Sequence, residues 1–235
     1  MNAPAAARTR WHPVADEASL QRAACAVILD DAARAIRERG RFVVVLAGGN
    51  TPRGVYHTLC DAPTDWSAWH IYFGDERCAP PDDPERNSRM AADTWLDHVP
   101  VPAMQIHAMP GELGARQGAT VYARTLRDVG TFDLVLLGLG EDGHTASLFP
   151  GHDWGSEPDA PATLAVFDAP KPPPERISMS ATRLADARHV VFLIAGVSKR
   201  QAVADWRAGK VIPASAIHPV NPVDVLLEIP SPDSA

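Results

Sequence analysis

The chain of 235 residues predicts an α/β protein, in which a mostly parallel sheet carries helices on both faces. Short apolar runs alternate along the sequence with segments whose apolar residues recur at helical spacing. The clearest run, Phe132–Leu137, lies between two glycines, which is typical of a parallel strand covered on both sides. We expect a single domain over residues 1–235, because the length suits one large α/β domain.

The elements follow in chain order. The segment 18–39 predicts an amphipathic helix, and Gly40 is its expected C-terminal stop. Further helices are predicted at 52–60, 84–96, 113–129 and 198–208. Strands are predicted at 42–46, 69–73, 132–137, 165–168, 177–179, 189–194 and 223–229. The proline-rich run 170–174 is interpreted as a stiff surface turn, with a ligand for a proline-binding module as the alternative.

Composition excludes several classes of partner. The formal net charge is −7 with no long basic run, which argues against nucleic acid binding. No apolar stretch is long enough for a membrane span, and residues 1–11 lack the apolar core of a signal peptide. Three scattered cysteines, Cys25, Cys60 and Cys78, are typical of reduced thiols in a cytoplasmic protein. The sequence is compatible with a monomer.

The most informative motif, residues 138–151, directly follows the buried strand and has the sequence GLGEDGHTASLFPG. It places Asp142 and His144 at the carboxyl end of a parallel strand, the edge at which open α/β sheets bind ligands. Residues 138–143 also match the pattern G-x-G-x-x-G of dinucleotide-binding loops. We reject that interpretation, because Glu141 and Asp142 would put negative charge beside a pyrophosphate.

A glycine-rich loop follows the first predicted strand. Gly48 and Gly49 allow a ligand to approach the backbone, Thr51 is expected to cap the next helix, and Pro52 suits its first position. Free N–H groups and the helix dipole favour a phosphate there. An ordinary tight turn before a well-capped helix is the alternative.

Two more strand ends carry charged residues. Asp75, Glu76 and Arg77 follow the second strand. Arg77 could hold a phosphate, and Asp75 could hold a substrate hydroxyl or act as a base. The alternative is a local surface ion pair of Arg77 with Asp75 or Glu76. Lys199 is expected in the first turn of the helix after residue 196. The dipole disfavours a lysine there, which indicates either a compensating anion or a simply solvated side chain.

Taken together, these motifs resemble the 6-phosphogluconolactonase family from residue 47 to residue 219. The stretch 138–151 is the most specific part, and residues 74–77, 87–88 and 196–199 fit in order. The resemblance implies a Rossmann-like three-layer sandwich, hydrolysis of a phosphorylated sugar lactone, and no metal or organic cofactor. The family typically has serine where this chain has Asn50.

The resemblance also implies roles for individual residues. His144 would act as general base and acid, with Asp142 orienting it or contacting sugar hydroxyls, and Asp75 would be a third catalytic candidate. Gly48, Gly49, Asn50, Thr51, Arg77 and Lys199 would bind the substrate, and together they would supply the basic cluster that an anion needs in a chain of negative net charge.

Two other functions stay open. An amino-sugar phosphate deaminase or isomerase would have a carboxylate near position 149, where this chain has Phe149. A non-catalytic sugar-phosphate sensor would need a DNA-binding module, and no basic helix precedes residue 18.

Overall fold

The computed structural model describes residues 9–229. Its strands are β1 (Thr9–Pro13), β2 (Phe42–Leu46), β3 (Trp69–Phe73), β4 (Asp75–Arg77), β5 (Ile106–His107), β6 (Phe132–Leu137), β7 (Thr163–Val166), β8 (Arg176–Met179), β9 (Ala187–Ala195) and β10 (Val223–Glu228). Its helices are α1 (Glu17–Arg39), α2 (Asn50–Leu59), α3 (Asn87–Thr94), α4 (Ala115–Thr125), α5 (Ala181–Ala185) and α6 (Arg200–Arg207).

Seven strands form the main sheet in the order β1-β10-β9-β6-β2-β3-β5, and every neighbouring pair is parallel. The predicted α/β sandwich with a mostly parallel sheet is therefore confirmed. All residues of β2 and β6 are buried, as expected for central strands covered on both faces. Because all seven strands run in one direction, the loops after β2, β3 and β6 meet at the same edge of the sheet.

A second, smaller sheet was not predicted. It contains β4, β8 and β7, which pair antiparallel in that order. The sequence predicted no strand at residues 75–77, because three charged residues give no strand signal. Instead this segment pairs with β8, so that Asp75 lies opposite Ser178 and Arg77 opposite Arg176. The small sheet thus brings two distant parts of the chain together beside the main sheet.

The predicted elements differ from the observed ones mainly at their ends. Gly40 ends α1 in a left-handed conformation with φ 73°, as expected for a glycine stop. The helices predicted at 84–96 and 113–129 shorten to α3 and α4. The predictions missed β1, an edge strand of sequence TRWHP without an apolar run, the two-residue edge strand β5 and the single-turn helix α5. Within residues 9–229 no helix is long and apolar enough to cross a membrane.

Candidate active site

A cleft of about 340 Å³ lies at the carboxyl edge of the main sheet. The loops after β2, β3 and β6 form its floor, and β8 with the turn before it and the turn after β9 complete its wall. Six of the residues singled out from the sequence line it: Gly48, Gly49, Asp75, Arg77, His144 and Lys199. Motifs from four separate parts of the sequence therefore converge on one site.

The glycine loop approaches another cleft residue very closely. A Cβ atom on Gly48 would lie only 1.9 Å from Oδ1 of Asn87, so no side chain fits there without displacing Asn87. Gly49 has φ 102° and occupies the N-cap position of α2. The prediction that Thr51 caps the helix is therefore wrong, and Pro52 lies at the third helical position, where a missing N–H also costs no helical hydrogen bond.

The side chain of Asn50 does not contribute to the cleft lining. Asn50 is exposed and borders a separate, more open cavity together with Arg53 and His57. Thr51 is also absent from the cleft lining. What this segment offers the cleft is backbone, since the first N–H groups of a helix have no acceptor within the helix.

Asp75 is fixed from two sides. Its side chain is buried; Oδ2 accepts a hydrogen bond from Ser147 Oγ at 2.6 Å, and Oδ1 accepts one from Asn87 Nδ2 at 3.0 Å. Ser147 thus uses its hydroxyl proton on Asp75. The carboxylate keeps lone pairs for further donors, because each oxygen has two.

Glu76 is fully buried and organises the start of α3. Its carboxylate accepts hydrogen bonds from the N–H groups of Asn87 at 2.7 Å and Ser88 at 2.9 Å, and from Ser88 Oγ at 2.6 Å. Negative charge at a helix N-terminus is favourable. Glu76 is therefore a structural residue that places Asn87 in the cleft.

Arg77 is held without an acidic partner. Its Nη1 donates to Asn87 Oδ1 and, at 3.0 Å, to the carbonyl of Glu85. Its Nε is buried and makes no hydrogen bond. None of the ion pairs among residues 9–229 involves Arg77. The structure therefore does not contain the local ion pair of Arg77 with Asp75 or Glu76 that was the alternative.

Arg176, the first residue of β8, is a cleft residue that the sequence analysis missed. It is buried; Nε donates to the Pro173 carbonyl at 3.1 Å and Nη2 to the Lys171 carbonyl at 2.9 Å. Burial lowers the pKa of Arg176, which the nearby Asp75 carboxylate opposes. The sequence feature that could have indicated this residue is an arginine between the proline-rich run and a predicted strand. Only the pairing with β4 shows where it points.

His144 is oriented by Asp142. Its Nδ1 lies 2.5 Å from Asp142 Oδ1, which also accepts from the His144 backbone N–H at 3.1 Å. Burial would raise the pKa of Asp142, but the hydrogen bonds and charge of His144 lower it below its ordinary value. A Cβ on Gly140 would lie 2.0 Å from Nδ1 of His144, so this glycine makes room for the ring. Because Nδ1 faces Asp142, Nε2 is the nitrogen that can act on a ligand.

Lys199 lies just before the first turn of α6 rather than within that turn, where it was predicted. It ends a 3₁₀ turn (Val197–Lys199) and forms the N-cap of α6. Burial lowers the pKa of Lys199 and the neighbouring Lys171 adds to this effect, whereas Glu141 raises it. Together with Arg77, Arg176 and Lys171, it gives the cleft four cationic side chains in a chain of net charge −7.

Comparison with known proteins agrees with the α/β fold. Residues 15–226 match the family described as glucosamine-6-phosphate isomerases/6-phosphogluconolactonase. The chain therefore belongs to this family, which also contains the family that the sequence motifs resemble.

Individual relatives span much of the chain. A 6-phosphogluconolactonase of Synechocystis sp. is 39% identical over 189 residues, which are 77% of this chain and 77% of that protein. A probable chloroplastic 6-phosphogluconolactonase of Oryza sativa subsp. indica is 36% identical, and the match covers 73% of this chain but 58% of the rice protein. The crystal structure of a Thermotoga maritima 6-phosphogluconolactonase superposes with a TM-score of 0.86 at 25% identity, covering 94% of this chain and 100% of that one.

Proposed function

We propose that the chain hydrolyses 6-phospho-D-glucono-1,5-lactone to 6-phospho-D-gluconate, a step of the oxidative pentose phosphate pathway. The names of the relatives confirm the prediction of a lactone-hydrolysing enzyme. The observation that carries the specific proposal is the pairing, in one cleft, of an imidazole oriented by a carboxylate with a cluster of cations. The first suits ester hydrolysis and the second suits a phosphate.

The phosphate group of the substrate would bind on the cationic side of the cleft. Arg77 and Arg176 offer guanidinium N–H groups, Lys199 offers an ammonium group, and the glycine loop offers backbone N–H groups at the start of α2. Gly48 and Gly49, and the backbone of Asn50 and Thr51, belong to this proposal. The side chain of Asn50 does not, because it borders another cavity.

His144 would carry both proton transfers. With Nδ1 held by Asp142, Nε2 takes a proton from a water molecule as that water attacks the lactone carbonyl carbon. The resulting imidazolium then gives this proton to the ring oxygen when the C–O bond breaks. The lowered pKa of Asp142 keeps its carboxylate charged at neutral pH, so that it stabilises the imidazolium.

Asp75 would bind the sugar ring. Its two hydrogen bonds from Ser147 and Asn87 keep the carboxylate in place and leave lone pairs for a substrate hydroxyl. Because Ser147 and Asn87 both donate to this carboxylate, Asp75 is placed here as an acceptor for sugar hydroxyls.

A deaminase or isomerase of amino-sugar phosphates is the second candidate, because the matched family includes such enzymes. At position 149, where those enzymes are expected to have a carboxylate, Phe149 is buried with its ring centroid 4.8 Å from that of His144. An apolar ring there cannot assist opening of a sugar ring by proton transfer, so the lactonase is favoured.

One assay separates these functions. Freshly generated 6-phosphogluconolactone should disappear much faster than by spontaneous hydrolysis when the protein is added, and unphosphorylated gluconolactone should not. His144→Asn should remove the acceleration, whereas His57→Asn, a change at an exposed histidine of α2, should keep it. Equal rates on both lactones would contradict the phosphate site. Release of ammonia from glucosamine 6-phosphate would favour the deaminase, and binding without turnover would favour a sensor.

A further inference from the structure

The proline-rich turn, residues 169–174, lies between β7 and β8 at the rim of the candidate active site. Lys171 is its only charged residue, and Lys171 and Pro172 both line the cleft. The chain contains three lysines in all, and two of them, Lys171 and Lys199, belong to this one cleft. A turn with four prolines in five residues and a single positive charge therefore borders the place where an anion is expected to bind.

The turn is anchored from inside by Arg176. This side chain donates to three successive carbonyls, from Nε to that of residue 173 at 3.1 Å and from Nη2 to those of residues 171 and 172 at 2.9 and 3.2 Å. The N–H of Ala169 closes the base of the turn on the carbonyl of Pro174 at 3.0 Å. Proline has no N–H and a fixed φ, so the run itself offers these carbonyls few donors, and Arg176 supplies them. The backbone that carries Lys171 is therefore stiff and held in place.

The ammonium group of Lys171 has no acidic partner. The residue is exposed, and none of the ion pairs among residues 9–229 involves it. The two carboxylates of the cleft lining, Asp75 and Glu85, are thus not within ion-pair distance of it. The third lysine of the chain differs in this respect, because Lys210 pairs with Asp205 at 2.7 Å outside the cleft.

Lys171 and Lys199 reach the cleft from different walls, one from the turn before β8 and the other from the turn after β9. Burial lowers the pKa of Lys199 and the charge of Lys171 adds to this effect, whereas Glu141 and Asp142 oppose it. Two ammonium groups that face one cavity repel each other. A doubly charged anion between them would remove this repulsion.

We propose that Lys171 is a substrate-binding residue, which the proline-rich turn presents to the phosphate group of the substrate. This inference rests on the proposed function, since it adds a residue to the same site. An ammonium group binds phosphate as a point charge on a flexible stem, so the stiff turn supplies positioning that the side chain lacks. The turn would thereby help to select phosphorylated over unphosphorylated sugars. The competing explanation is a solvated lysine on a surface turn, whose removal would leave binding unchanged.

Calorimetric titration with 6-phosphogluconate, the product of the proposed reaction, measures this contribution without turnover. Lys171→Gln should weaken binding roughly 3- to 10-fold, a modest factor because the ammonium group is exposed and partly screened. Lys210→Gln removes the same charge outside the cleft and should bind like the wild type. Lys171→Arg keeps the charge and should retain most of the affinity. Added salt should weaken binding more steeply in the wild type than in Lys171→Gln, which a merely structural role would not produce.

The stiffness of the turn has its own test. Pro170→Gly/Pro172→Gly loosens the backbone on both sides of Lys171 and should weaken binding of 6-phosphogluconate while the lysine is present. In a chain that also carries Lys171→Gln, the two glycines should cost little more, because they act through the lysine. Losses that add in full would contradict presentation of Lys171 by the turn.

Unchanged affinity in Lys171→Gln, or an equal loss in Lys210→Gln, would overturn the proposal. A separate assay of lactone hydrolysis distinguishes this failure from that of the proposed function. Hydrolysis with the KM of the wild type in Lys171→Gln would leave the function standing and refute the role of Lys171. Binding of 6-phosphogluconate that depends on Lys171, without any turnover of the lactone, would support the role of Lys171 and refute the lactonase.

Discussion

Arg77 and Arg176 lie directly opposite each other in the antiparallel pair of β4 and β8, and both line the candidate active site. Like charges at directly opposed positions of a sheet destabilise it. Burial lowers the pKa of Arg176, and the charge of Arg77 adds to this effect. An anion bound between them would relieve this repulsion, which is why we assign the pair to the phosphate of the substrate.

This assignment predicts how substitution at the pair affects kinetics. Arg77→Ala or Arg176→Ala should raise KM for the phosphorylated lactone roughly 10- to 100-fold, because a charge-assisted hydrogen bond is lost, and should lower kcat less. Arg89→Ala removes an exposed arginine that pairs with Asp93 on α3 and should leave both parameters unchanged. A fall in kcat at unchanged KM would instead place these arginines at the reacting bond.

Substitutions at the histidine pair should act on turnover. His144→Ala should lower kcat about 10²- to 10⁴-fold, the usual contribution of a general base, with KM changed much less. Asp142→Asn should lower kcat and alter its dependence on pH, since it removes the carboxylate that holds Nδ1. Initial rates between about pH 5 and pH 9 measure both effects. Turnover close to that of the wild type in His144→Ala would refute its role.

Gly48 offers a test of close packing. In Gly48→Ala the new methyl group would meet the side chain of Asn87, which must move and lose its hydrogen bonds to Asp75. We expect a loss of about 1–3 kcal/mol in the free energy of unfolding. Gly138→Ala adds a methyl group with no atom within 4 Å and should change stability by less than about 0.5 kcal/mol. Urea unfolding compares the two, and equal losses would contradict this explanation.

Asp224 should make stability depend on acid pH. Burial would raise its pKa, but hydrogen bonds from Arg10, His12 and His189 lower it below the ordinary value. A carboxyl whose pKa is lower in the folded state stabilises the protein above its unfolded pKa of about 3.9, and this contribution is lost as the pH falls through the folded value. Asp224→Asn should be less stable by about 1–3 kcal/mol at neutral pH and lose less on acidification.

Urea unfolding at pH 7 and at stepwise lower pH measures that difference. The exposed Asp159→Asn is the matched control and should follow the wild type. A variant at position 224 that parallels the wild type over the whole range would show that its carboxylate is not linked to folding.

The three thiols should differ in reactivity. Burial raises the pKa of Cys25 and of Cys78 to about 11, so that few of these thiols are ionised near neutral pH. Burial also raises the pKa of Cys60, but this residue borders an open cavity on the surface. We therefore expect iodoacetamide to alkylate Cys60 first, as followed by peptide mass spectrometry. Faster labelling of Cys25 would mean that α1 opens readily.

The sequence was sufficient to predict the five inner strands of the main sheet and to group most of the cleft residues, for physical reasons. Runs such as Phe132–Leu137 can be recognised because a parallel strand is apolar on both faces. The carboxyl ends of parallel strands meet at one edge, so the motifs with Asp75, His144 and Lys199 could be grouped from the sequence alone. Arg176 could not be placed, because it reaches the cleft only through the pairing of β8 with β4.

Local signals were also misleading near Asn50. Thr51 and Pro52 form a standard start of a helix, yet α2 begins earlier because Gly49 adopts a backbone conformation that other residues avoid. With the helix starting earlier, the side chain of Asn50 is exposed outside the cleft. The loop can therefore contribute only its backbone groups to the cleft. A pattern of residue types does not contain the direction in which each side chain points.

The small sheet also bears on how the protein folds. Its strands β4 and β8 come from residues 75–77 and 176–179, so that the cleft wall needs closure of a long loop before it gains any pairing energy. Contacts between distant residues form late when many local ones compete. We therefore expect that a growing chain completes β2, β3 and β6 while it still lacks a working site.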